Sequence, residues 1–187
     1  MSCTQLNSIT LPNSLTSIGH TAFADCYTLT SLNIPNSVTR IENSTFKGCH
    51  KLASINLPSS ISYIGNEAFY ECTSLTSINI PASVTSIDFF AFSGCSALSQ
   101  VNITDLSAWC SIDFDNSNPL SNKHYDDLGQ EVYADLFLNG TKVVDLVIPA
   151  DITMINQYTF YNCHTLKSVT IPDNITSIQD CAFIGCI

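Results

Sequence analysis

Hydrophobic residues recur along this chain in one fixed register. The segments TSLNIPNSVTRIENSTFKGC, ASINLPSSISYIGNEAFYEC and TSINIPASVTSIDFFAFSGC align without a gap, and their apolar positions coincide. The period is 23 residues: Pro12, Pro35, Pro58 and Pro81 keep it, as do Phe23, Phe46, Phe69 and Phe92, and Cys3, Cys26, Cys49, Cys72 and Cys95. Pro149 and Pro172, Phe160 and Phe183, and Cys163 and Cys186 resume it after a step of 68, one residue short of three periods. Such a period marks a repeat array, in which each unit buries its apolar face only by stacking on the next.

Within one repeat, Leu75, Ile78 and Ile80 begin a short alternating segment that reads as a strand, and Pro81 ends it. Val84 and Ile87 then point inward, and A-F-x-x-C inserts Phe92 and Cys95 through a turn of helix or irregular backbone. Stacked coils place like residues over one another at the spacing of parallel strands, about 4.8 Å. The expected core is a set of ladders: Cys26, Cys49, Cys72, Cys95 and Cys163 in one, Phe23, Phe46, Phe69, Phe92, Phe160 and Phe183 in another.

The repeat pattern breaks between residues 104 and 142. Asp105 is placed to cap a short helix through LSAWCSI, and DNSNPLSN reads as a turn-rich loop. ADLFLNGTKVVDLVIP carries two apolar runs around Asn139-Gly140, a hairpin signal because Asn-Gly suits a type I′ turn. Val143, Leu146 and Ile148 fall in the strand slots before Pro149. The expected organisation is an N-terminal repeat block (1–103), an insertion (104–142) and a C-terminal repeat block (143–187), forming one continuous domain.

Leu75 to Cys95, LTSINIPASVTSIDFFAFSGC, resembles the BspA-like class of leucine-rich repeats, marked by L-x-x-I-x-I-P followed by S-I-x-x-x-A-F-x-x-C. The resemblance implies an α/β repeat fold: a right-handed leucine-rich repeat solenoid of stacked parallel strands, here interrupted by one insertion with a short helix and hairpin. It also implies a secreted or cell-surface protein with adhesion or ligand binding as its role. The matched positions are core positions, so no ligand-contacting residue carries over.

Charge narrows the partners. Lys and Arg total 6 against 16 Asp and Glu, and a net charge of −10 repels phosphate backbones and anionic membrane surfaces, which excludes nucleic acid. No apolar run approaches the roughly 20 residues of a membrane span, and MSCTQLNSIT lacks the parts of a signal peptide. No cofactor is expected. Cysteines at 23-residue spacing form a line rather than a zinc tetrahedron, and stacked side chains are poorly directed for disulfides, so buried free thiols are expected. Cys110 and Cys181 lie outside the ladder. His20, His50, His124 and His164 lack a carboxylate at a ligand or catalytic spacing. The insertion holds 7 of the 16 acidic residues, but DFDNSN fails as a calcium loop because positions six and twelve hold Asn118 and His124.

Two surfaces remain as candidates for contact. Outward strand positions carry small polar residues, among them Ser31, Asn33, Asn56, Asn79 and Asn102, while aromatics gather at the insertion in Trp109, Phe114, Tyr125 and Tyr133, with packing the favoured role for Trp109. The strand positions repeat nearly the same side chains, so specific recognition is expected from the insertion. The expected function is a non-enzymatic adhesion or binding module for an extracellular protein or glycan. A structural spacer is the alternative, and a glycan-active enzyme the remote one. Asn43, Asn102, Asn139 and Asn174 are glycosylation sequons, relevant only in a glycosylating host. Repeats that stop mid-coil leave core cross-sections open, so end-to-end self-association is a further expectation.

Overall fold

A computed structural model of the chain describes residues 3–115, 118–121, 123–125 and 131–186. In chain order the strands are β1 (Ser31–Asn33), β2 (Arg40–Ile41), β3 (Ser54–Asn56), β4 (Tyr63–Ile64), β5 (Ser77–Asn79), β6 (Ser86–Ile87), β7 (Gln100–Ile103) and, after helix α1 (Leu106–Cys110), β8 (Asp113–Phe114). There follow β9 (Lys123–Tyr125), β10 (Glu131–Tyr133), β11 (Asp135–Leu138), β12 (Thr141–Lys142), β13 (Asp145–Val147), β14 (Met154–Ile155), β15 (Ser168–Thr170) and β16 (Ser177–Ile178). The architecture is a parallel β-solenoid with little helix.

Each coil contributes a strand to two rows. The main row runs β1, β3, β5, β7, β11, with Ser31 beside Ser54, Ser77 beside Gln100 and Leu136 beside Val101. It resumes with β13 and β15. The second row runs β2, β4, β6, β8 and then β14, β16. Pro sets the corner between rows: the N–H of Val38, Ile61 and Val84 each closes a turn onto the carbonyl of Pro35, Pro58 and Pro81 at 3.0–3.1 Å.

The A-F-x-x-C segment is neither helix nor irregular. In one coil the N–H groups of Ser44, Phe46 and Gly48 donate to the next coil at Asn66, Ala68 and Tyr70, each at 2.8 Å. Those of Thr45, Lys47 and Cys49 close turns onto the residue three back. The result is a third ladder, a ribbon of turns with two left-handed residues per coil. Thr21, Ser44, Glu67, Phe90, Tyr158 and Cys181 hold the first such position, at φ 54–60°. Asp25, Gly48, Glu71, Gly94, Asn162 and Gly185 hold the second, at φ 57–78°, so glycine alternates there with Asp, Glu and Asn.

The Phe ladder forms as expected. Rings of Phe23, Phe46, Phe69 and Phe92 stack at 5.2–5.6 Å between centroids, and Phe160 stacks on Phe183 at 5.3 Å. Beside it the cysteines do more than fill space. The thiols of Cys49, Cys72, Cys95 and Cys186 donate to the carbonyls of Phe23, Phe46, Phe69 and Phe160 at 3.1–3.2 Å. All nine cysteines are free, and Cys26, Cys49, Cys72, Cys95, Cys110 and Cys163 are buried. Burial pushes Cys49, Cys95, Cys110 and Cys163 up to about 12, and Cys72 well above its ordinary value. A thiol held protonated is a donor, not a nucleophile or metal ligand.

Residues 104–142 enter the ladders more deeply than the sequence indicates. Asp105 caps α1 by accepting from the Ala108 N–H at 2.9 Å, and the helix drives Trp109 and Cys110 into the core. Phe114 continues the second row beyond Ile87. β11 is already a main-row strand, in register with β7, before the chain turns at Asn139-Gly140 into β12. The main row therefore holds β11 and β12 between β7 and β13, whereas on the second row β8 meets the C-terminal block directly. One backbone bond, Asn156 N–H to the Cys110 carbonyl at 3.4 Å, and several side chains make that join: Asn156 Nδ2 donates to the Ile112 carbonyl at 3.1 Å, Gln157 Nε2 to that of Phe114 at 3.0 Å, and Asn118 Nδ2 and Trp109 Nε1 to that of Thr159 at 3.2 and 3.1 Å.

Three outcomes are expected. Phe69→Ala removes a fully buried ring with neighbours on both sides and should cost about 3–5 kcal/mol in urea unfolding; Phe183→Ala, stacked on one side only, should cost clearly less, and equal losses would contradict the stack. Thiol titration below pH 9 should find few reactive groups before denaturation and most of the nine after it. Because the folded-state thiols sit above the ordinary value of 9.0, the stability they contribute is full below that pH and is lost as pH climbs toward 12, and Cys95→Ala should flatten the alkaline slope. Replacing residues 111–134 by a flexible linker removes Phe114 and Asn118 and should unfold the C-terminal block; an unchanged melting transition would show that the join lies elsewhere.

Candidate functional site

Alternation along each main-row strand turns one residue into the core and two outward. Ser31, Asn33, Ser54, Asn56, Ser77 and Asn79 line a shallow trough over β1, β3 and β5. Parallel register sets Asn33 beside Asn56 and Asn79 beside Asn102. Ser31, Asn33, Asn56 and Asn79 are exposed and Asn102 half-buried. The trough offers neutral donors and acceptors in rows one coil apart and contains no titratable group. The column then changes character: Phe137 lies beside Asn102, and Val147, 66% exposed, holds the equivalent position in the C-terminal block.

The second row carries a cluster that the sequence reading passed over. Arg40 lies over the Tyr63 ring at 3.7 Å and bonds Glu42 at 3.1 Å. The Tyr63 hydroxyl donates to Asp88 and lies 3.3 Å from Asn43 Oδ1, while Ser86 donates to Asp88 at 3.1 Å. Burial first, then Asp88, pushes Tyr63 up to about 12, so it remains a donor. A second pair, Lys47 to Glu67 at 2.7 Å, sits beside Tyr70. The signal was present in the sequence: Arg40, Tyr63 and Ser86 share one repeat slot, and Glu42 and Asp88 another. These contacts clamp three coils together at the surface. Phe90, exposed and left-handed at φ +58°, pairs with Phe89 nearby.

The insertion aromatics do not gather into a contact surface. Trp109 and Phe114, named above as candidate contacts, are 1% and 0% exposed and pack edge to face at 5.2 Å; the helix cap and the second-row register turn both inward. Tyr133, half-buried, stacks on His164 at 4.0 Å and so ties the insertion to the C-terminal block. Tyr125 belongs to a short antiparallel pair, β9 with β10, and its side chain lies outside the described residues. His124 belongs to the same strand, with its side chain likewise undescribed. Among the described residues no three His, Cys, Asp or Glu side chains converge as a metal site, and no helix is long and apolar enough to cross a membrane.

Comparison with known proteins matches this architecture. The model of the BspA type leucine rich repeat region fits residues 1–121 and 130–187, in six copies. A leucine-rich repeat protein from Bacteroides ovatus ATCC 8483 is 24% identical at a TM-score of 0.53, over 99% of this chain and 66% of that one. The leucine-rich repeat protein of T. pallidum is also 24% identical, at a TM-score of 0.57, over 91% of this chain and 72% of that one. A leucine rich cell surface protein from Faecalibacterium prausnitzii A2-165 is 31% identical over 84% of this chain and 39% of that one, at a TM-score of 0.44. The chain thus spans 66% of the B. ovatus protein and 39% of the F. prausnitzii one. No curated protein matches the sequence. With the repeat model covering nearly its whole length, and with the ladders on which that model rests present in the structure, the chain belongs to the BspA-type leucine-rich repeat family.

Proposed function

We propose that this protein is a non-catalytic interaction module of a secreted or cell-surface protein, binding an extracellular protein or glycan. The observation that carries the reading is the division of labour among its side chains. Leu, Ile, Phe and Cys are consumed by the ladders, and the thiols are protonated donors. What remains outward on the main row over β1, β3 and β5 is a lattice of neutral Ser and Asn side chains, suited to polar contact and not to proton transfer or nucleophilic attack. The secreted or surface placement rests on the family. The spacer reading draws on the second row, where Arg40, Tyr63 and Asp88 are engaged with one another rather than left free for a partner.

A glycan and matrix-protein panel separates the two. Changing Asn33, Asn56 and Asn79 together to alanine should leave the melting transition within a few degrees, because the three side chains are exposed. It should weaken binding to any panel member by about tenfold or more. Binding to nothing on the panel would favour the spacer, and turnover of a panel glycan would overturn the non-catalytic reading.

A further inference from the structure

Along the main row, each coil joins the coil before it through an N–H at the head of its strand. Thr30 donates to Asn7 at 3.3 Å, Ala53 to Thr30 at 3.0 Å, Thr76 to Ala53 at 3.5 Å, Ser99 to Thr76 at 3.0 Å, Asp135 to Ser99 at 2.9 Å and Lys167 to Val144 at 2.8 Å. Among the described residues the series has no member running from Val144 to the coil before it. Among the described residues β13 pairs with β15 alone.

In a parallel ladder, alternate residues bond to opposite sides. Val144 accepts from Lys167, and Ile148 donates to Thr170 at 2.9 Å, so the even-numbered residues serve β15. The N–H and C=O groups of Asp145 and Val147 therefore face the hairpin of β11 and β12, and no bond joins them to it. A groove of about 280 Å³ opens there, lined by Leu106, Leu138, Val143 and Leu146, with Lys142 and Val147 at its rim. The ionic side chains beside it are engaged: Lys142 with Asp135 at 2.7 Å, and Asp145 with the Ser168 hydroxyl at 2.5 Å. The unmet polar groups are those of the backbone.

We propose that this seam is a strand-acceptor site: an extended segment of a partner protein adds to the free edge of β13 and lays aliphatic side chains over Leu106, Leu138 and Leu146. The edge dictates the occupant. Donors and acceptors alternating along a strand are matched by another extended backbone, and the apolar floor calls for aliphatic side chains on one face of it. A glycan meets neither demand. The inference rests on the interaction-module reading and deepens it, because it assigns the partner class and places the contact at the seam.

The test uses the whole chain and a labelled peptide, Ser-Leu-Thr-Ser-Ile-Asn-Ile, which has the sequence of one of the array's own strands, residues 74–80. In the free protein the Asp145 and Val147 amides should exchange with solvent about tenfold faster, or more, than those of Leu146 and Ile148. Saturating peptide should slow both by about tenfold or more. A peptide N-methylated at alternate amides on the face that bonds β13 should bind about tenfold more weakly or worse. Val147→Pro should do the same from the protein side, since proline is tolerated at a strand edge but offers no N–H. If that variant fails to fold, the methylated peptide makes the same test on the unaltered chain. Amides already protected in the free protein, equal binding of the two peptides, or protection confined to β1 or β15 would overturn the site. Loss of panel binding in the asparagine variant together with no peptide binding would sink the seam and leave the interaction module standing.

Discussion

A coil of 23 residues cannot satisfy its own backbone, and the rest of the structure follows from that constraint. Buried N–H and C=O groups left unpaired are costly, so each coil hands its bonds to the next along several lines at once. The two strand rows are the familiar ones. The ribbon of turns is a third, with Phe46 bonding Ala68 and Phe69 bonding Ala91. Side chains draw further lines: Ser37, Ser60 and Ser83 each donate to a carbonyl 22 residues earlier, at 2.6–2.7 Å, and the cysteine thiols to one 26 residues earlier. Because the acceptor always sits in the same slot of the neighbouring coil, the repeat length admits no drift. This is why serine follows proline two residues on, and why cysteine serves here better than alanine would: it fills an apolar slot and still donates.

The same constraint decides which residues are free to vary. Side chains that fill the core ladders keep their type, whereas Arg40, Tyr63 and Ser86, in one outward slot, differ from coil to coil. They settle into a stacked cation and a hydrogen-bonded hydroxyl that hold adjacent coils without belonging to any ladder. Exposed pairs of this kind contribute little stability, about 0–1 kcal/mol each. Their effect is to make the second-row surface self-contained, while the Ser and Asn lattice of the main row faces outward with its hydrogen-bonding capacity available.

Much of this was legible in the sequence because the period is exact in chemistry as well as in length. Strand positions, the Phe and Cys ladders, the cap at Asp105 and the turn at Asn139-Gly140 all follow from residue type and spacing. The turn ribbon did not, since its left-handed positions are held by residues as different as Thr21, Glu67 and Phe90; the backbone there is set by bonds to the next coil rather than by local preference. The insertion was also misread in part. Trp109 packs inward, the role its sequence context favoured, whereas Phe114 looks like a surface aromatic when it falls outside the repeat consensus but lands in the slot beyond Ile64 and Ile87, where only burial is available. A broken consensus showed where the pattern fails, not that the ladders continue through the break with different residues.

The seam shows what happens when stacking meets an extra element. Two strands, β11 and β12, occupy the main row where the second row has none, and the main row is interrupted between β12 and β13. On the second row, one backbone bond, from the Asn156 N–H to the Cys110 carbonyl at 3.4 Å, crosses the join, and the longer reach of the Asn156, Gln157 and Asn118 side chains supplies the rest. The Trp109 indole does the same beside the Phe ladder. On the main row no side chain bridges Asp145 and Val147 to the hairpin, and the floor of the gap is core rather than surface. The polar bonds that the stack demands are thus met at the seam on one side and left open on the other. At the seam, a free backbone edge and an aliphatic floor therefore lie side by side.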